Sequence, residues 1–122
     1  MRYIFIIYID RAMSNLFNVS SIPLHVNQYF YQMMGIDSYL VVETLSTIGL
    51  PQNPLESKAV MIINASSQVI NIDSTDGVNR IYNNLYAPSG SFSLTIDANR
   101  IVYLIYARNI SANQGKWVSH LG

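Results

Sequence analysis

The chain has 122 residues, of which half are hydrophobic and 11% charged, with a formal net charge of zero and no cysteine. Such a length suits one domain able to bury roughly two-thirds of its unfolded surface. Zero net charge argues against a broad electrostatic footprint for nucleic acid or anionic lipid. The missing cysteine excludes disulfides and thiolate metal sites, and favours a reducing compartment or stabilisation by oligomerisation. Few charges also mean little charge-based solubility, so part of the surface is expected to be covered by a partner or by copies of the chain itself.

At the N-terminus, Met1-Arg2 precedes the run Tyr3-Ile4-Phe5-Ile6-Ile7-Tyr8-Ile9. Its β-branched and aromatic content reads first as a strand buried on both faces. A second reading starts translation at Met13. A signal peptide ranks third, because Asp10-Arg11 follows at once and no small-x-small cleavage site appears. The run is too short to span a bilayer, which takes about 20 apolar residues. Residues 14–24 read as an extended arm with Leu16, Phe17, Val19 and Ile22 as anchors, or else as an ordinary surface loop. Over residues 25–34 the spacing of Val26, Phe30, Met33 and Met34 predicts one short helix, ended by Gly35. A strand alternating through Val26, Gln28, Phe30 and Gln32 fits that stretch less well.

From Asp37 onward the pattern is a train of short strands. Residues 38–45, 58–64, 68–73 and 78–83 are separated by Gly49-Leu50-Pro51-Gln52-Asn53-Pro54, Ala65-Ser66-Ser67 and the Asp76-Gly77 turn. Residues 84–90 loop into the most strongly patterned stretch. There Phe92, Leu94 and Ile96 alternate with Ser91, Ser93 and Thr95, the period of a half-buried strand. Asp97-Ala98-Asn99-Arg100 turns the chain, and residues 101–106 are apolar on both faces, as in a central strand. These two strands read as an antiparallel hairpin, joined by a further strand that carries Trp117. Strands at this spacing predict an all-β fold: a small antiparallel β-sandwich, jelly-roll-like or meander, with an N-terminal arm and a short helix. Residues 1–36 form the N-terminal unit and residues 37–122 the sandwich domain.

No motif specifies catalysis. Asn71 to Gly77 resembles a calcium loop, but counted from Asn71 the sixth position holds Asp76 rather than Gly and the twelfth holds Tyr82 rather than Glu. An Asx-rich turn is the better reading. His25 and His120 lie at opposite ends of the chain and read as surface residues. The acids Asp10, Asp37, Glu43, Glu56, Asp73, Asp76 and Asp97 fall mostly at turns and strand ends. A hydrolase would need two of them within about 10 Å across a cleft. No nucleophile elbow, phosphate loop or basic cluster is present. The sequence therefore points to no catalytic residue, no cofactor-binding residue and no metal ligand. Three glycosylation sequons, at Asn18, Asn64 and Asn109, are uninformative in a chain this rich in Asn and Ser. Nine Tyr suit strands and also suit interfaces, with Tyr29, Tyr31, Tyr82 and Tyr86 as candidate contacts.

Residues 50–119 carry a resemblance. A strand ending Ile62-Ile63-Asn64-Ala65-Ser66-Ser67 is followed by a Val-x-Ile strand, a hydroxylated Leu-x-Ile strand, an apolar strand and Gly115-Lys116-Trp117-Val118. This order resembles the small β-modules of bacteriophage virion proteins: tail fibres, head fibres and capsid decoration proteins. Those modules have a Gly-rich turn where this chain has Asp97-Ala98-Asn99-Arg100. The resemblance implies a non-enzymatic structural protein, bound to a phage capsid as decoration or cement or as a head-fibre component. It implies a virion-surface location after synthesis in the host cytoplasm. The implied partners are further copies of the chain, as a trimer, and the major capsid or another virion protein, with no cofactor, nucleic acid or membrane. The competing reading is a tail-fibre-like carbohydrate- or receptor-binding module in which Trp117 and Tyr residues stack on sugar rings. On its alternating strand Trp117 is instead expected to plug the core, leaving Ser91, Ser93 and Thr95, with the N-terminal arm, as the contact surface.

Overall fold

The structure, a computed structural model, describes residues 22–83, 89–109 and 114–121. The described residues are all-β, with no helix, and form two sheets packed on one another. One sheet has six strands, in the order β1 (Leu24–Val26), β3 (Tyr39–Val42), β5 (Ala59–Asn64), β9 (Ile101–Asn109), β10 (Gln114–Leu121) and β7 (Arg80–Tyr82). The other has four, in the order β2 (Phe30–Gln32), β4 (Thr47–Gly49), β6 (Ile70–Asp73) and β8 (Ser93–Ile96).

From β1 to β6 the chain changes sheet after every strand. Each strand in the opposite sheet is therefore the crossover that parallel neighbours require. β1, β3 and β5 run parallel in one sheet, and β2, β4 and β6 run parallel in the other. Direction reverses only later: β8 pairs antiparallel with β6, β9 with β5, and β10 with β9. β7 lies at the far edge, parallel to β10. Both sheets are thus mixed, where the sequence pattern led to an antiparallel sandwich. Alternation along a strand reports which face is buried; it carries no information on which way the neighbour runs.

Two local expectations change with this winding. Residues 25–34 hold β1 and β2 and not a helix. Val26 and Met33 are in the core, yet Phe30 and Met34 are 51% and 62% exposed, so the four do not share one buried face. A ten-residue helix is marginal by itself. Here the backbone pairs instead with β3 and β4, and Met33 N–H donates to the Gly49 carbonyl at 2.8 Å. The second change concerns β8 and β9. They do not form a hairpin, because the turn at Asn99 (φ 61°) carries the chain from one sheet into the other.

The core lies between the sheets. Leu40, Ile62 and Val102 are in register across three strands and fully buried, and Ile48, Ile70, Ile72 and Ile96 face them from the smaller sheet. At the β10 end Trp117 is fully buried, its ring 5.4 Å from that of Tyr106. Gly115 makes room for that Tyr106, since a Cβ there would lie 2.0 Å from the phenol oxygen. Tyr106 in turn donates to Asn79 Oδ1 at 3.0 Å. Lys58 is 6% exposed and donates to the Gly35 carbonyl at 2.8 Å, holding the loop after β2 against β5. Desolvation lowers the Lys58 pKa, with Asp37 opposing the shift.

Asn64, at the end of β5, is fully buried and polar. Its side-chain N–H group donates to the carbonyls of Gln68, Ile96 and Asp97 at 2.7, 3.0 and 3.1 Å. Its Oδ1 accepts from the Ser66 backbone N–H at 3.0 Å and the Ser66 hydroxyl at 2.6 Å. One side chain thereby fastens the β5–β6 turn to the end of β8. Asn64→Leu would leave several of these buried groups unpaired, and an unsatisfied buried polar group costs about 1–3 kcal/mol. We expect the variant to lose about 3 kcal/mol in urea unfolding, as a lower midpoint with an unchanged slope. A loss under about 1 kcal/mol would mean that the carbonyls find water and that the fastening role is misassigned.

Candidate interaction face

Register determines what each sheet shows to solvent. The inward residues of the larger sheet include Leu40, Val42, Ile62, Val102, Leu104 and Trp117, so the alternate positions point outward. Across the strands they form rows. The first is His25, Val41, Ile63 and Ile101; the second is Tyr39, Met61, Tyr103 and His120. The third is Ala59, Ile105, Val118 and Tyr82, and the fourth is Ala107, Lys116 and Arg80. The middle of this outer face is therefore aliphatic and aromatic. Its larger side chains are half-buried, with Ile105 38% exposed and Ala59 fully covered. Among the described strands none packs on it, and no Asp or Glu occupies a strand position there.

The smaller sheet shows the opposite chemistry. Its outward rows are Phe30, Thr47, Asn71 and Thr95, then Gln32, Gly49, Asp73 and Ser93. Hydroxyls, amides and one carboxylate satisfy one another: Ser93 donates to Asp73 at 2.7 Å and Thr75 to Gln32 Oε1 at 2.9 Å. Ser93 and Thr95 do point outward on this polar face, and exposed Ser91 lies just before β8, bridging to Ile81. The apolar character was legible in the two-sided run at residues 101–106. What the sequence left unsaid is that this strand lies between β5 and β10.

The other singled-out residues fall as follows. Trp117 is inaccessible and cannot stack on a sugar in this conformation; its Nε1 is buried without a hydrogen-bond partner. Tyr29 is 77% exposed, whereas Tyr31 packs on the core and donates to Asp37 Oδ2 at 2.6 Å. Tyr82 sits on the outer face with the Lys116 ammonium 4.9 Å from its ring centroid. Tyr86 and arm residues 14–21 lie outside the described residues. His25 and His120 are both on the outer face, separated by β3, β5 and β9. His25 Nδ1 lies 3.1 Å from Glu43.

The acids are used locally. Glu56 accepts from the Arg108 backbone N–H at 3.0 Å, and Asp37 from Tyr31 and the Met34 N–H. Asp76 heads an Asx turn. It accepts from the N–H groups of Val78 and Asn79 at 2.9 and 3.0 Å, from the Asn79 amide at 2.5 Å and from the Ser74 hydroxyl at 3.3 Å. The turn that resembled a calcium loop is thus closed on its own carboxylate. Among the described residues no three His, Asp or Glu gather as a metal-ligand group. Two open clefts of about 340 and 370 Å³ flank Gly115 and Val78. The first is lined by Arg80, Tyr82 and Phe92, with the guanidinium 4.3 Å over the Phe92 ring. The second is lined by Asp76, Asn79, Tyr106 and Arg108.

These contacts set a pH dependence. Desolvation pulls the Asp76 pKa up, but the Asn79 and Val78 N–H groups, with the Asn79 and Ser74 side chains, hold it below the usual value. Glu43 is lowered by its hydrogen bonds to His25 and Asn27. A carboxyl lowered by folding adds stability above its unfolded pKa of about 4, and that part is lost as pH falls through the folded value. Desolvation and the Asp37 contact raise Tyr31 from 10.0 to about 12, so its share is complete below pH 10 and lost as pH rises toward 12. We expect urea midpoints to hold across neutral pH and fall at both ends. Asp76→Asn should flatten the acid fall and Tyr31→Phe the alkaline one. An acid limb as steep in Asp76→Asn as in the parent would show that the turn is not its source.

No protein-family model matches the chain, and no curated protein matches its sequence. Among solved structures, a chain in a chaperone–substrate complex aligns with a TM-score of 0.42 and 18% identity, over 77% of this chain. This chain spans only 14% of the length of that one.

Proposed function

We propose that this chain is a non-enzymatic structural protein of a bacteriophage virion, bound to the capsid as decoration or cement or as part of a head fibre. The observation that carries the reading is the apolar outer face of the six-stranded sheet, on which none of the described strands packs. A contiguous apolar patch beyond a few hundred Å² marks a contact surface in a soluble protein. The resemblance at Asn64-Ala65-Ser66-Ser67 and Gly115-Lys116-Trp117-Val118 supplies the virion setting. Both motifs have structural roles here, as clamp and core plug, in keeping with a family pattern that is structural. The partner is the major capsid protein or another virion protein, together with further copies of the chain, and the place of action is the virion surface.

A second reading, a tail-fibre-like module for a glycan or receptor, draws on the cleft lined by Tyr82, Phe92 and Arg80, since Trp117 is not available to it. The two are separated by sedimenting the recombinant chain with purified particles and, in parallel, with host cell envelopes. We expect binding to particles, weakened at least about tenfold by Ile105→Lys (about 1.4 kcal/mol), and none to envelopes. Binding to envelopes alone, or particles whose protein inventory lacks the chain, would overturn the capsid reading.

A further inference from the structure

From β1 to β6 the chain winds as a coil through the two sheets, and the two ends of the sandwich differ. The β7 end is closed. Ile81 of β7 and Ser91, just before β8, exchange backbone bonds of 2.6 and 2.9 Å, and Ile81 is 3% exposed. At the β1 end, Leu24, Leu40, Ile62 and Val102 make one inward row. The last three have no exposed surface, whereas Leu24 is 41% exposed. Leu24 thus aims at the core from an edge strand, and among the described strands none pairs beyond β1. Sheet edges of this kind are ones that proteins pair or cover.

The coil itself measures how far along the chain its next strand lies. Twelve residues, 27–38, separate β1 from β3, and sixteen, 43–58, separate β3 from β5. Each passage holds one strand of the opposite sheet and returns the chain parallel to its predecessor. Fourteen residues, 10–23, separate β1 from the run Tyr3-Ile4-Phe5-Ile6-Ile7-Tyr8-Ile9. That run therefore falls one coil before β1. Its residues are β-branched or aromatic and apolar at both alternating sets of positions, the pattern of a strand in a parallel sheet covered on both faces.

We infer that the free edge of β1 is a docking site for residues 3–9 of the same chain, which add to the larger sheet as a further strand parallel to β1 and cover Leu24. The spacing between the run and β1 lies between the two spacings that the coil already uses, so the chain reaches this edge without a new kind of connection. A short tether also presents its segment at an effective concentration of order millimolar. The same segment from a second copy, at micromolar concentration, competes poorly with it.

The test exploits the absence of native cysteine. In the full chain, Leu24→Cys is combined in turn with Ile4→Cys, Ile6→Cys and Tyr8→Cys, one set of alternating positions, and with Phe5→Cys and Ile7→Cys, the other. Neighbouring strands about 4.8 Å apart place same-face residues within disulfide reach. Mild oxidation should join Leu24→Cys to positions of one set and not of the other, within single chains, as denaturing mass analysis reads directly. Crosslinks formed only between chains would assign the segment to a second copy, and no crosslink at any position would leave β1 without this occupant; either result overturns the inference. A second readout is amide exchange in the full chain carrying Ile6→Lys with Ile7→Lys, which puts a charge on both faces of the run. Exchange at β1 should quicken at least about tenfold, at any protein concentration, while β9 and β10 keep their protection. Unchanged exchange at β1 overturns the docking of this segment.

Discussion

A fold that changes sheet after nearly every strand must hold its corners together, and here much of that burden falls on Asn64. Its fully buried side chain lies where β5 leaves one sheet and β8 ends in the other. The amide supplies donors to three carbonyls and an acceptor to Ser66. Its backbone continues the work: Asn64 N–H donates to the Arg100 carbonyl at 2.9 Å, and Asn99 N–H donates to the Asn64 carbonyl at 2.8 Å. A fully satisfied buried polar group of this kind specifies one arrangement, because any slip by one residue leaves several groups unpaired. The same element sets the spacing at which β9 meets β5, and so aligns the rows of the outer face.

Gly115, Tyr106 and Asn79 play the corresponding part at the other end. With no Cβ at Gly115, Tyr106 can lie across β10 and reach Asn79, whose amide in turn holds the Asp76 turn. Trp117 fills the space beneath. The two ends together fix β9 and β10, the longest strands, whose outward residues form the centre of the apolar face. Stability and surface chemistry therefore depend on the same few contacts. Asp37, Glu43, Glu56, Asp73 and Asp76 each accept hydrogen bonds from the turn, strand end or neighbouring strand beside them.

Some of this was legible residue by residue. The alternation of Phe92 to Ile96 marked a half-buried strand, and the continuous run at residues 101–106 marked a central one. Asp76-Gly77 marked a turn, with Gly77 at φ 74°. Trp117 was readable as core from its place on an alternating strand. Residues 25–34 were not readable in the same way, because Val26, Phe30, Met33 and Met34 satisfy a helical spacing as well as two short strands do. A segment with so few residues takes its structure from the edges available to it, and those belong to β3 and β4. β4 itself was hidden, as Thr47-Ile48-Gly49 is too short to show a period.

The sequence by itself determined the class of structure: all-β, without cysteine chemistry, low in charge, with more apolar strand surface than one core can absorb. Those properties follow from composition and from period, which are local. Tertiary structure alone decided the pairing directions, since parallel and antiparallel neighbours present the same alternation to a reader of one strand. It also decided that Ser93 and Thr95 share one outer face with Asp73 and Asn71, where the Ser93 hydroxyl donates to Asp73. And it decided that Met61, Tyr103, Ile105 and Val118, distant in the chain, stand together on the outer face of one sheet, because adjacency across a sheet is set by register and not by sequence separation.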